Sequence, residues 1–480
     1  MAVTVSTPSS PFALAPRDRA RLERHTAAAV RRAKRTQRRV LAAVTARVAD
    51  DVDPTAVVAA SRAPGEPWAV LEQPERGRFA LAGLGAVARL EAAGPRRFTD
   101  VAERWRRLAS EAVCDPPSGP RGGGPVAIGG FGFAAEGPRA EHWAGFMPAS
   151  LHVPQVALDR RDGEVALTLT ALVGPGDDPL EVADRLAARA EALRAAPLPL
   201  LDPDPARHPR IVGSMPPEHY EGAVARAVER IRAGALEKVV LAREVQVHAS
   251  QPHDPAAVLG VLREAFPACH VLAVGRGDST FVAASPELLV RREGLRAGTL
   301  ALAGSTRRSA DPSVDDHLGE RLLRSDKDRE EQDIVTRRIV RVLRPHSVWV
   351  TAADEPVVVK VANIQHLATP IRAQLATPVS AVELAGLLHP TPAVGGEPLA
   401  VAAPLIPALE GLDRGWYAGP VGWTDVNEDG EFCVALRCAL LTGPVARCYA
   451  GVGVVRDSDP AAELAETETK LEALLPVLAA

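Results

Sequence analysis

The chain has 480 residues, 46% of them hydrophobic, and a formal net charge of −4. That is enough apolar material for one large domain or two ordinary ones. With a pI near 6.3 it gives no bulk argument for nucleic acid or an anionic membrane as partner. No stretch approaches the roughly 18 to 20 uncharged apolar residues of a membrane-spanning helix. No basic-then-apolar leader opens the sequence, so a cytoplasmic protein is expected. The five cysteines (Cys114, Cys269, Cys433, Cys438 and Cys448) show no CxxC or zinc-ligand spacing and read as buried, reduced small hydrophobes.

In chain order, residues 1 to about 15 have the small, polar, proline-containing composition of a disordered tail. Arg17 to Asp50 interleaves arginine with Ala, Val and Leu, which predicts a surface helix. Its basic run (Arg31, Arg32, Lys34, Arg35, Arg38, Arg39) lacks the aromatic platform of a nucleic-acid surface and reads as a solvated face. Short apolar runs then alternate with turn clusters to about Val173, including strands at 121–133 and a hairpin over 154–173 that turns on Asp162-Gly163. The glycines at 122–124 and 129–130 have no Gly-Lys-Ser/Thr ending and no acid at dinucleotide spacing, so they read as close-packing or bulge positions. A helix from Leu180 and a proline-rich connector at 198–210 close this half.

Beyond the connector the patterns sharpen. Helices are predicted at 217–233, 254–265, 315–343, 380–388 and 399–410, with strands between them, among them KVVLAREVQV from Lys238. A three-strand meander (418–425, 431–441, 446–455), turning first on Asn427 to Gly430, leads into a last helix from Asp457 to Leu478. Asp459-Pro460 is a helix start, a capping acid followed by proline at the first helical position.

Unusual charges lie on faces that should be buried. Glu463, Glu466 and Lys470 recur at spacings of three and four and share one face with Leu474. Glu331 aligns with Val335, Ile339 and Val342 on an apolar stripe, where a lone carboxylate needs a partner. An inward Glu331 and Glu463/Glu466 pair form either an oxygen-rich pocket for a hard cation such as magnesium or a buried salt-bridge network. Lys238 opens its strand on the face of Val240 and Ala242. A lysine desolvated in a sheet can serve as a general base, and Glu287 at a strand start can serve as the complementary acid.

The stretches LEKVVLARE (236–244), ASPELLV (284–290), LAGSTRR (302–308), SDKDREEQDIV (325–335), IQHLATPI (364–371), LLHPTPAVGG (387–396), ALRCALL (435–441), YAGVGVV (449–455) and SDPAAELAETETK (458–470) occur in this order. Together they resemble the chorismate-utilising enzymes, and the lysine of LEKVVLARE with SDKDREEQ and HPTPA is similar to the isochorismate synthases. The resemblance implies a single large α/β (α+β) chorismate-binding domain of two facing antiparallel sheets flanked by helices. Residues 1–50 would be a tail and basic helix, 51–205 the variable N-terminal part of the fold, and 206–480 the catalytic region. It also implies magnesium-dependent conversion of chorismate to isochorismate, water adding at C2 as the C4 hydroxyl leaves. Lys238 falls on the family's general base and Glu287 on its general acid. Glu331 and Glu466 match its metal-ligating glutamates, and Glu463 matches a third acid holding the metal directly or through water. Arg437 and Lys470 match carboxylate-binding residues, Gly304, Ser305, Gly451 and Gly453 line the substrate site, and His366 resembles a residue beside the reacting ring.

Ammonia-using members of the family lack the lysine found here at 238 and need a glutamine amidotransferase partner. Aminodeoxychorismate synthases place a nucleophilic lysine where this chain has Ala303. Both positions imply water as nucleophile, no amidotransferase subunit, and a site complete in a monomer. Salicylate synthases share the base and eliminate pyruvate afterwards, which is the neighbouring alternative. A silent chorismate-binding homologue is the other, although Lys238, Glu287 and the glutamates are all present.

Overall fold

Runs of alternating and continuous β-branched and apolar residues build two large antiparallel sheets. The computed structural model describes residues 10–116, 124–201, 208–361 and 363–479. The expected tail up to residue 9, Gly122 and Gly123, and the centre of the connector at 202–207 lie outside the described residues.

The first sheet has twelve strands. Its path runs through Val40–Arg47, Glu164–Val173, Val156–Arg161, Phe79–Leu84, Trp68–Gln73, His270–Arg276, Ser279–Ser285, Cys438–Thr442, Val445–Val454, Lys238–His248 and Gly396–Glu397, with Arg210–Gly213 paired beside Lys238–His248. The second has ten strands and includes Val126–Phe131, Leu288–Glu293, Arg296–Arg307, Ile364–Leu375, Pro420–Asp425 and Gly430–Val434. Strands from the first 173 residues are hydrogen-bonded into both sheets, so the N-terminal part completes the same fold.

Between the sheets the largest apolar cluster joins Leu71, Leu272 and Phe281 of one to Leu289 and Val421 of the other. Trp416 is fully buried there, its ring edge-on to Phe146 at 5.1 Å and to Phe281 at 6.2 Å. Helices Pro16–Thr36, Pro179–Glu191 and Pro255–Ala265 cover the outer face of the twelve-stranded sheet through Leu22, Val182 and Leu259. Pro217–Arg232 and Leu399–Glu410 close over Val239 and Leu241. The neighbouring positions Lys238, Val240 and Ala242 therefore point the other way, toward the facing sheet, as strand alternation requires. Among the described residues no helix is long and apolar enough to cross a membrane.

Four expected elements differ. The helix at 17–50 is a helix, Pro16–Thr36, followed by the strand Val40–Arg47, whose VLAAVTAR sequence pairs residue for residue with Val173 to Ala166. The helix at 315–343 is two, Pro312–Arg324 and Asp326–Leu343, because extended Ser325 caps the second by accepting from Asp328 N at 3.3 Å. The last helix is Pro460–Leu471, separated from a short turn at Leu475–Leu478, where Pro476 cannot continue the ladder. The meander is four strands, since the run at 431–441 breaks at Ala435–Arg437 and its halves lie in different sheets. The Asp162-Gly163 and Asn427–Gly430 hairpins form as expected, and among the described residues all five cysteines are free thiols. Gly129 and Gly130 sit where a side chain would meet Ser150, Trp416 and Val421, which is the expected close packing.

Trp416→Ala empties the space between the sheets and is expected to cost about 3–5 kcal/mol, measured as a lower midpoint in urea unfolding.

Candidate active site

The chain crosses from the twelve-stranded to the ten-stranded sheet after Ser285 and crosses back before Cys438. Glu287 lies on the first crossing and Arg437 on the second. Arg437 takes a left-handed conformation (φ 49°), costly for an arginine, and the strands on either side hold it there. Between these crossings opens a narrow cleft. Ten of the twelve expected site residues border it: Glu287, Gly304, Ser305, Glu331, His366, Arg437, Gly451, Gly453, Glu466 and Lys470. Glu463 does not border it, and neither does Lys238, which reaches the cleft through its partner Glu331.

The floor comes from two paired strands. Val240 lies opposite Gly453 and Ala242 opposite Gly451. A Cβ at Gly453 would collide with the Glu331 carboxylate and the Lys238 chain, and one at Gly451 would lie 2.5 Å from the Tyr417 hydroxyl. These glycines are what allow charged side chains to approach the strand. Lys238 is 0% exposed, its Nζ 2.8 Å from Glu331 Oε1 without the alignment of a hydrogen bond.

The opposite wall comes from Arg296–Arg307 and Ile364–Leu375 of the other sheet, whose register slips between Ala303 and Ser305. Gly304 takes up the slip at φ 67°, with the Asp328 side chain where a Cβ would point. The Gly304 carbonyl accepts from His366 Nδ1 at 3.2 Å, and His366 Nε2 accepts from Arg437 Nη2 at 2.9 Å. Burial, reinforced by Arg437 and Lys470, drives the His366 pKa well below its ordinary value, so the ring is neutral with its proton on Nδ1. Arg437 Nε is buried with no partner among the described residues, a donor left for a ligand.

Each of the three expected metal-ligating glutamates is held by a lysine. Glu331 has Lys238, Glu466 has Lys470 at 2.7 Å, and Glu463 has Lys327 at 2.9 Å. Burial raises the Glu466 pKa, but Lys470 and the Ser305 hydroxyl (2.6 Å) outweigh it and hold the carboxyl below its ordinary value. Glu463, only 1% exposed, is left above its ordinary value by burial despite Lys327. Lys470 also donates to the Gly451 carbonyl at 3.0 Å. Among the described residues no three acidic, histidine or cysteine side chains converge on one point. The expected three-carboxylate set therefore divides, with Glu331 and Glu466 on the cleft and Glu463 tied to Lys327 away from it. Two hard carboxylates with room for substrate oxygens still suit magnesium, which seldom uses an all-protein cage.

Glu287 stands apart because burial pushes its pKa from 4.5 up to about 8, against the pull of Lys238, Arg437 and Lys470. At neutral pH it is an acid holding its proton. The sequence reading overlooked Lys327, although it lies inside SDKDREEQ, one turn before Glu331. It also overlooked Tyr417 on the cleft wall and the fully buried Arg414–Glu410 pair behind it. Arg414 donates to Val394 O at 2.7 Å and Val240 O at 3.0 Å, and Glu410 accepts from Ala242 N at 2.7 Å.

A protonated acid, buried lysines and an unpaired guanidinium donor around one cleft between two facing sheets suit an enzyme that binds a small anion. The chain belongs to the chorismate binding enzyme family, whose model matches residues 27–479. A salicylate biosynthesis isochorismate synthase of Pseudomonas aeruginosa is 38% identical over 459 residues, 94% of this chain and 93% of that protein. Isochorismate synthase MenF of Bacillus subtilis is 33% identical over 407 residues, 83% of this chain and 85% of its own. The solved structure of MenF, the menaquinone-specific isochorismate synthase from Escherichia coli, superposes with a TM-score of 0.76 at 26% identity, covering 95% of this chain and 99% of the other.

Because folded Glu287 binds its proton more tightly than the unfolded chain does, its contribution to stability is full below about 4.5 and is lost as pH rises toward about 8. Carboxyl ¹³C NMR should show one resonance with a midpoint near 8. That resonance should vanish in Glu287→Gln.

Proposed function

We propose that this protein is an isochorismate synthase, isomerising chorismate reversibly by adding water at C2 and releasing the C4 hydroxyl. The observation that carries the reading is the protonated Glu287 in one cleft with Arg437, Lys470 and the Lys238–Glu331 pair. Chorismate carries two carboxylates. Arg437 Nε and Lys470 Nζ bind one and fix the ring, with neutral His366 packed beside it. Glu287 gives its proton to the departing C4 hydroxyl, and Lys238 Nζ, acting in its uncharged amine form, takes one from the attacking water. Substrate and product have the same composition, and return of a proton from Lys238 to Glu287 through solvent closes the cycle.

Magnesium is the cofactor we assign, held by Glu331 and Glu466, with Glu463 linked to them through the same charge network. When bound, it supplies a cation for the second carboxylate of the substrate. Lys238 with Ala303 supports water rather than ammonia as nucleophile, so no amidotransferase subunit is needed. The pathway served, whether menaquinone, a siderophore or a salicylate-derived product, depends on the enzyme that takes up isochorismate.

Incubation of the purified protein with chorismate, resolved by HPLC with and without magnesium, tests the reading. Isochorismate formed only with magnesium, and reduced by about 10³-fold or more in Lys238→Ala, is the expected result. Salicylate with pyruvate would move the protein to the neighbouring reaction on the same site, and chorismate bound without turnover would remove the enzymatic reading. Gly453→Ala should lower turnover by at least about 10²-fold through displacement of Glu331, while the thermal midpoint shifts by only a few degrees.

A further inference from the structure

A second cavity, of about 660 Å³ and open at its mouth, lies on the far side of the segment that walls the catalytic cleft. Its walls are largely apolar, with Phe133, Pro390, Leu399 and Ile406 among them. Two polar side chains, buried Arg97 and half-buried His389, border it with a buried nitrogen each that lacks a partner among the described residues. Arg97 is 5% exposed, stacks on Phe98 at 4.7 Å and donates from Nη2 to the Gly132 carbonyl at 3.2 Å, yet its Nε has no partner. Among the described residues no carboxylate forms an ion pair with it, and burial lowers its pKa to about 10, with exposed Glu136 the one acid that opposes the shift. His389 donates from Nε2 to the Phe133 carbonyl (3.1 Å), and its Nδ1 has no partner among the described residues.

The other charges on this cavity are either exposed, as Glu136 and Arg139 are, or paired. Arg414 is neutralised by Glu410, and Asp413 accepts from Ala140 N at 2.8 Å and Gly415 N at 3.0 Å. Arg97 is thus the one buried cation bordering the cavity, among the described residues, without a counter-ion. A guanidinium kept from water and from carboxylates is costly unless an anion visits it. Its planar fork matches a carboxylate, while phenyl and proline walls match an apolar ring.

We propose that this cavity is a second ligand site, separate from the catalytic cleft, for a small carboxylate carrying an apolar ring, with Arg97 as its counter-ion. The two sites share a wall. Arg414 borders the second cavity and donates to the carbonyls of Val394 and Val240, both of which border the catalytic cleft. Occupancy of one can therefore be sensed at the other.

Isothermal titration of the full chain with benzoate, benzamide and inorganic phosphate tests the assignment. Benzoate should bind about ten-fold or more tightly than benzamide, which has the same shape without the charge, and than phosphate, which has charge without the ring. Arg97→Met should weaken benzoate by a similar factor, with its melting curve checked against wild type. Ala403→Trp, at an exposed position on the cavity wall, should block binding without touching Arg97. Equal binding of benzoate and benzamide, phosphate as tight as benzoate, benzoate binding unchanged in either variant, or no benzoate binding at all would overturn the proposal.

Discussion

A buried charge is costly unless an opposite one meets it, and the arrangement of the catalytic region follows from that cost, with Arg437 left for a ligand to neutralise. Lys238, Lys327 and Lys470 each hold one glutamate, and they come from three separate elements: a strand of the larger sheet and two helices. No one of these elements could carry its charge inward alone. The glycines at 451 and 453 give these long side chains room, and the bulge at Gly304 brings Ser305 to Glu466. Glu287 is the exception. No carboxylate-binding partner offsets its burial fully, so it keeps its proton, and the group that is worst solvated becomes the one able to act as an acid.

Much of this was legible in the sequence, and for identifiable reasons. Strand alternation correctly put Lys238 on the face of Val240 and Ala242, and helical spacing correctly put Glu331 above Val335 and Ile339. Helical spacing put Glu463, Glu466 and Lys470 on one face with Leu474, but that pattern alone fits a solvated face, and the inward charges upstream were what pointed it toward the interior. Roles for Gly304, Ser305, His366 and Arg437 came only from family resemblance, since no local pattern marks a residue whose position depends on a partner strand.

What stayed hidden is tertiary. The run 431–441 is apolar apart from Glu431 and Arg437 and reads as one strand, and its pattern does not show that Ala435–Arg437 leaves one sheet for the other. Ser325 interrupts a helical pattern whose apolar period continues on both sides, so capping won over periodicity. Lys327 was passed over because a lysine beside acids on a helix is usually a solvated partner, whereas here its half-buried ammonium sits in the field of Glu463, Glu331 and Glu466 together.

The placing of Val445–Val454 has a consequence for how the protein comes into being. This strand lies between Cys438–Thr442 and Lys238–His248 in the middle of the twelve-stranded sheet, although it is the last strand made. On the ribosome the Lys238 strand must wait, one edge unpaired, for nearly the whole chain to emerge. Gly451, Gly453, Glu466 and Lys470 arrive with or after that strand. A chain ended before that strand therefore lacks the floor glycines of the cleft and the Glu466–Lys470 pair, whatever else of the site it has already made.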